Sequence, residues 1–367
     1  MRVDGKHYRS IWISGKPPVV EVIDQRKLPF DFVVAELRSL DNAFSAIRDM
    51  VVRGAPLIGV TAAYGLWLSA RESSMEGWKE DILRAGERLC TSRPTAVNLE
   101  YAVERGIKIA ENALSRNKCI ESLLEWAGNY AEEEVQRSLR IGEHGLELIR
   151  DLYREKQDTV NILTHCNAGW LACVDYGTAT APVYLAHDEG IPVHVWVDET
   201  RPRLQGARLT AFELGEHGVS HTVITDNAGG YLMQHGQVDL VMVGSDRTTR
   251  SGDVINKIGT YLKALAAKDN GIPFYVALPS STIDMNLFRG EETEIEFREE
   301  EEVRNITGWD PDERFDREMI IVPRSSGAAN PGFDVTPARL VSGLITERGI
   351  CAASEKGILS LFGDRDQ

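Results

Sequence analysis

Six short apolar runs rich in β-branched residues follow one another after residue 158. They are TVNILT (159–164), PVHVWVD (192–198), HTVIT (221–225), VDLVMVGS (238–245), PFYVAL (273–278) and MIIVP (319–323). Helix-like segments separate most of them. Strands that alternate with helices need crossover connections, and these build a parallel sheet covered on both faces. The expectation is a doubly wound α/β domain over residues 151–367.

In such a sheet, ligands sit beyond the carboxyl ends of the strands. The polar residues that close each run are therefore candidates. They are His165-Cys166-Asn167, Asp198-Glu199-Thr200-Arg201, Asp226-Asn227, Gly244-Ser245-Asp246-Arg247 and Pro279-Ser280-Ser281. Capping explains one or two such clusters. All of them at one rim point to a shared small-molecule site.

Residues 1–150 follow a different grammar. HYRSIWI (7–13) and PVVEVID (18–24) alternate as a hairpin does. Helical spacing follows, with Asp41 placed to cap a helix through AFSAIRDMV, and again over Asn98–Asn112 and Ile120–Ile149. GAPLIGVTAAYGLWLSA (54–70) reads as a buried helix. It falls short of the ~20 residues that span a bilayer. The expected fold is thus α/β: a doubly wound, mostly parallel C-terminal sheet domain and a mostly helical N-terminal domain that starts with a small β-hairpin.

The net charge of −15 opposes a duplex-binding surface, which needs Lys and Arg to neutralise phosphates. No nucleic acid and no membrane partner is expected. A small anion remains possible, since it needs only a few positive groups in a pocket. The polar N-terminus has no apolar core of a signal peptide. The five cysteines are scattered and form no CxxC, which fits a reducing cytoplasm.

His165 and Cys166 invite a nucleophile–base reading. Adjacent residues of a strand point to opposite faces, which separates the pair. Zinc is poorly supported, because Cys166 and Cys173 are badly spaced and no His pair has ligand spacing. On the residues alone, Cys166 is as readily a small buried residue as a functional one. In GSDRTTRSGDVINKIGTY (244–261) the strand delivers Asp246 to its end, where a partly desolvated carboxylate suits general acid–base work. Asn256 and Lys257 are expected in the first turn of a following helix, where an anion would make sense of the lysine.

Arg53 precedes Gly54, Ala55 and Pro56. Small residues let backbone amides approach a ligand, and arginine forks onto phosphate. Arg93 before Pro94 has a similar setting. Gln205, near a helix start in DETRPRLQGARLTAFEL (198–214), could contact sugar hydroxyls or simply cap. The acidic stretch 289–314 reads as a solvated excursion rather than a direct anion contact.

RGAPLIG, SRPTAVNL, THCNAG, DETRPRLQGARLTAFEL, GSDRTTRSGDVINKIGTY and NPGFDVTP occur in that order. Together they resemble the methylthioribose-1-phosphate isomerase family. That family shares its fold with regulatory subunits of a translation-initiation exchange factor and includes ribose-1,5-bisphosphate isomerases. The resemblance implies an aldose–ketose isomerase that converts 5-methylthioribose 1-phosphate to 5-methylthioribulose 1-phosphate in methionine salvage. It implies Cys166 and Asp246 as the catalytic pair. It implies substrate contacts at Arg53, Gly54, Ala55, Arg93, Gln205, Asn256 and Lys257. It also implies a homodimer with neither metal nor organic cofactor. The block after Asp246 departs from the family pattern and places Arg250 near the site. A 5-deoxyribose 1-phosphate or ribose 1,5-bisphosphate substrate therefore stays open, as does a non-catalytic regulatory subunit.

Overall fold

The computed structural model describes residues 1–93, 97–312 and 315–363. Pro94, expected in the turn after Arg93, lies outside them, as do Glu313, Arg314 and the last four residues of the expected C-terminal domain. Among the described residues no helix is long and apolar enough to cross a membrane.

The large sheet has seven strands. In spatial order they are Gly349–Cys351, Gly343–Thr346, Phe274–Ala277, Leu240–Val243, Val160–Thr164, Val193–Asp198 and Ser220–Ile224. Every pair is parallel except the edge pair Gly343–Thr346 with Gly349–Cys351. The chain starts in the interior at Val160–Thr164, builds outward through Val193–Asp198, then returns to the other side at Leu240–Val243. The strand order reverses there, and such a reversal opens a crevice at the carboxyl ends.

Five of the six expected strands enter this sheet. MIIVP does not. Met319 and Ile320 belong to Phe315–Ile320, which pairs with Asn305–Asp310 as a separate antiparallel hairpin. The missing parallel strand is Gly343–Thr346, all four residues buried.

In the N-terminal part, Ile11–Ser14 and Val19–Ile23 form the expected hairpin, and Val34–Leu37 adds a third strand. The helix after it is capped by Ser39, whose side chain accepts from the Asn42 amide, rather than by Asp41. Asp41 sits in the first turn instead, where its charge still suits the helix N-terminus. The helix Ala55–Glu72 is buried from Pro56 to Ala70 and forms the axis of the helical core. Leu57, Leu66, Leu68 and Trp67 are at most 1% exposed. Each contributes about 1.5–3 kcal/mol by leaving water.

A long helix, Arg116–Lys156, runs on past residue 150. Its first half packs Cys119, Leu123 and Ala127 into the helical core, and its second half packs Ile141, Leu146 and Ile149 against the sheet. Gly142 and Gly145 let it lie close on the Ala181–Asp188 helix. A Cβ at Gly145 would come within 2.4 Å of Pro182.

Candidate active site

Cys166 follows the central strand Val160–Thr164, and Asp246 follows its neighbour Leu240–Val243. These strands are in register at Ile162–Leu240. Both side chains therefore reach the crevice at the reversal point, and both line one cavity of about 830 Å³, mouth included.

Cys166 adopts a left-handed backbone conformation, φ 65°. For a residue with a Cβ this costs on the order of 1–3 kcal/mol and persists only when neighbours impose it. Thr200 and Thr210 impose it here. The Cys166 amide donates to Thr200 Oγ1 at 2.8 Å, and Thr210 Oγ1 donates to the Cys166 carbonyl at 2.7 Å. His165 turns away into a buried network. Its Nδ1 lies 2.8 Å from Asp198 Oδ2, and its Nε2 lies 2.8 Å from the Ile258 carbonyl. Neither ring nitrogen is left for the thiol.

His165, Asp198 and Asp226 lie close enough to suggest a metal. The Lys263 ammonium already supplies a cation there, 3.1 Å from Asp198 Oδ2 and bonded to the Asp226 carbonyl.

The RGAP block docks onto the THCNAG block. Arg53 donates to Asn167 Oδ1 at 2.8 Å and to the Asn167 carbonyl at 3.3 Å. Asn167 in turn donates to Glu213, a fully buried carboxylate that also accepts from the Leu171 amide and Tyr184 Oη. Burial pushes the Glu213 pKa up, against these hydrogen bonds. Gly169 makes the approach possible, since its Cβ would lie 1.5 Å from Glu213 Oε2. Gly54 has φ 92°, and a Cβ there would come within 2.3 Å of the Ala172 carbonyl oxygen. It caps the helix Ala55–Glu72, whose first turn opens on the cavity beside Arg53. Unpaired amides and an arginine at a helix N-terminus suit an anion.

Asn256 and Lys257 are not in a helix. They end the strand Val254–Lys257, which pairs with Arg247–Thr249 and Phe333–Thr336, and the helix begins only at Thr260. Both still line the cavity. Lys257 Nζ donates to the Gly332 carbonyl at 2.9 Å and lies 4.9 Å from the Phe333 ring centroid. Burial pulls its pKa down, although Asp246 favours its charge. Asp246 is shifted upward by burial, and Lys257, Arg93 and Arg53 oppose that shift. Burial lowers the Arg93 pKa. Arg93 Nε, Gln205 Oε1 and Glu296 Oε2 are buried without a hydrogen-bond partner among the described residues. Three such atoms beside one cavity are positioned for a polar ligand.

The nine residues to which the resemblance gives a catalytic or substrate-contact role thus line one cavity: Arg53, Gly54, Ala55, Arg93, Cys166, Gln205, Asp246, Asn256 and Lys257; of the strand-end clusters, Asp198–Arg201 and Asp226-Asn227 do not line it. Glu296, Arg298 and Phe333 line it too. The acidic stretch, expected as a solvated excursion, thus brings Glu296 and Arg298 to the cavity. Arg298 is held by Glu296 at 2.8 Å and by Glu302 at 2.7 and 2.9 Å, and the Gly332 amide donates to the Glu296 carbonyl. Arg250 is not among the lining residues. It pairs with Glu355 at 2.7 Å instead.

The initiation factor 2 subunit family model matches residues 51–353. The methylthioribose-1-phosphate isomerase of Methylorubrum populi is 57% identical over 366 residues, covering 100% of this chain and 99% of that protein. The chain belongs to the methylthioribose-1-phosphate isomerase family. The isomerase of Desulfatibacillum aliphaticivorans is 55% identical, with both chains covered in full. Among solved structures, the 5-methylthioribose 1-phosphate isomerase of Pyrococcus horikoshii is 38% identical with a TM-score of 0.85, covering 98% of this chain and 96% of that one. A chain from A. fulgidus described as the delta subunit of translation initiation factor eIF-2B is also 38% identical, with a TM-score of 0.81 over 97% of this chain and 100% of that one. Isomerases and initiation-factor subunits thus share this family's fold, and the pocket must decide between them.

Proposed function

We propose that the protein is an aldose–ketose isomerase that converts 5-methylthioribose 1-phosphate to 5-methylthioribulose 1-phosphate. The observation that carries this reading is the placement of Cys166 and Asp246 at one crevice, beside an arginine-flanked helix N-terminus. A non-catalytic subunit has no use for that combination. The reading includes a cytoplasmic location and a homodimer, as in the resemblance.

The phosphate sits on the anomeric oxygen, so the ring has no free anomeric hydroxyl through which to open. An acid must protonate the ring oxygen. Asp246 is that acid, because burial favours its neutral form. The ring C1–O bond then breaks, and the oxygen leaves as the C4 hydroxyl. The C2 hydrogen passes to C1, and the 2-hydroxyl proton returns to Asp246 as C2 becomes the carbonyl. One proton leaves the carboxyl and one returns. Cys166, across the crevice, flanks the carbons between which the hydrogen moves. Arg53, the Gly54 and Ala55 amides and Lys257 hold the phosphate, while Arg93, Gln205 and Asn256 orient the sugar.

A coupled assay on purified protein tests this with the 5-methylthio, 5-deoxy and 5-phospho derivatives of ribose 1-phosphate. The methylthio sugar is expected to give the highest kcat/KM. Preference for the bisphosphate, or no turnover of any of the three, overturns the reading.

A further inference from the structure

The rim cluster Pro279-Ser280-Ser281 has no part in the chemistry proposed above. It follows the strand Phe274–Ala277, which pairs with the strand that carries Asp246, in register at Val276–Val243. Pro279 lines the cavity and Ser281 does not. The Ser281 Oγ accepts instead from Asn98 Nδ2 at 3.0 Å. The turn is braced on the sheet side. The Ser280 amide donates to Glu347 Oε2 at 2.9 Å, and Glu347, only 8% exposed, closes the next strand. The Thr282 amide and Oγ1 both donate to the Pro279 carbonyl, at 3.0 and 2.6 Å.

Asn98 belongs to the helical part. It is fully buried in the first turn of the helix Val97–Asn112, which follows Arg93 in the chain. Its backbone touches the helix Ala55–Glu72 just beyond the Gly54–Ala55 start. A Cβ at Gly59 would lie 2.9 Å from the Asn98 carbonyl oxygen and 2.7 Å from Tyr130 Oη of the long helix. The helix that opens at Gly54 and the helix that follows Arg93 thus meet at Asn98, and the Asn98 side chain joins both to the sheet.

We propose that Asn98 and Ser281 are positioning residues, whose hydrogen bond sets Arg93 and the Gly54–Ala55 turn against Asp246 across the cavity. The proposal rests on the isomerase reading, in which the substrate spans both parts. Its phosphate lies on the helix start and its ring oxygen at the Asp246 carboxyl. A shift of one part against the other separates that oxygen from its acid, and misplacement of a reacting group costs rate steeply. The bond is suited to resist the shift. Asn98 is buried, so its amide has no water to turn to once the Ser281 hydroxyl is gone, and the helix must move to satisfy it. Ser281 itself is outside the cavity, so its loss removes no substrate contact.

The test compares Ser281→Ala with Ser281→Thr, which keeps the hydroxyl. Both are assayed with 5-methylthioribose 1-phosphate, well below the melting temperature measured for each. Ser281→Ala is expected to lower kcat about tenfold, with a smaller change in KM. Ser281→Thr is expected to stay near the natural protein. A merely structural bond would lower the melting temperature of Ser281→Ala and leave its kcat alone, and that result overturns the proposal. An equal loss of kcat in Ser281→Thr overturns it too, because the hydroxyl is then not the cause. If the natural protein turns over no sugar phosphate, the isomerase reading itself fails, and the proposal goes with it.

Discussion

The His165 imidazole lies 2.8 Å from Asp198 Oδ2, and that contact takes it away from the cysteine beside it in sequence. The same ring reaches the carbonyl of Ile258, one residue beyond Lys257. His165 thus ties the loop that carries Cys166 to the strand that carries Asn256 and Lys257. It is a positioning residue. His165→Gln is expected to lower kcat roughly tenfold to a hundredfold, as misplacement of a reacting group by about an ångström does. Steady-state kinetics together with an unchanged circular dichroism spectrum check this. A variant with full kcat contradicts it.

Asp246→Asn keeps the shape of the carboxyl and removes its proton chemistry. A loss of about 10²–10⁴ in kcat is expected, with a much smaller change in KM. Cys166→Ser is expected to lower turnover sharply as well. Near-normal rates in either purified variant contradict the role given to that residue.

The pH profile has a definite sign. The first step needs Asp246 in its acid form, so kcat/KM falls as pH rises through its upward-shifted pKa. Lys257 opposes that shift more than Arg93 or Arg53 does. Lys257→Met removes that opposition, so the alkaline limb is expected to move to higher pH while KM rises. A limb that moves downward contradicts the assignment.

Glu134 is fully buried on the long helix and paired with Arg137. Burial outweighs the ion pair and raises its pKa from 4.5 to about 7. The folded chain therefore holds this proton more tightly than the unfolded one. Ionising Glu134 costs no stability below pH 4.5; the cost grows as pH rises to about 7 and then levels off. It amounts to about 3 kcal/mol. Denaturant unfolding at pH 5 and pH 8 reads the difference. Glu134→Gln has no proton to lose and is expected to shrink it.

Gly54→Ala asks for a methyl group where the Ala172 backbone already stands, at a φ that L residues avoid. The variant is expected to lose about 1–3 kcal/mol of stability and to bind substrate poorly, because the helix N-terminus must shift. A melting curve and a KM measured on the same preparation check both effects.

The strand ends were legible in the sequence because each β-branched run stops abruptly at a polar residue. That rule put Cys166 and Asp246 among the candidates at the rim, and the resemblance singled out Cys166 from them. It failed for Asn256 and Lys257, whose strand is four residues long and runs into Gly259 as a helix start does. It also passed over Gly343–Thr346, another four-residue strand, and chose MIIVP, whose apolar residues face outward on a hairpin: Met319 and Ile320 are 51% and 57% exposed. Glu296 and Arg298 gave no local signal. Their place at the cavity comes from pairing with Asn330 and Gly332, a tertiary contact that composition cannot carry.

The acidic segment has a consequence for arrival. It places Glu294, Glu296 and the run Glu299–Glu302 on a chain whose net charge is −15, next to the cavity proposed to hold the sugar phosphate. On that charge balance, the field that an approaching sugar phosphate crosses is expected to repel it until Arg53, Arg93 and Lys257 take over at the cavity. Mobile counterions shorten the reach of that repulsion to about 10 Å at 0.1 M salt. Diffusional capture by this protein should quicken as ionic strength rises, the reverse of enzymes whose surface draws their ligand in.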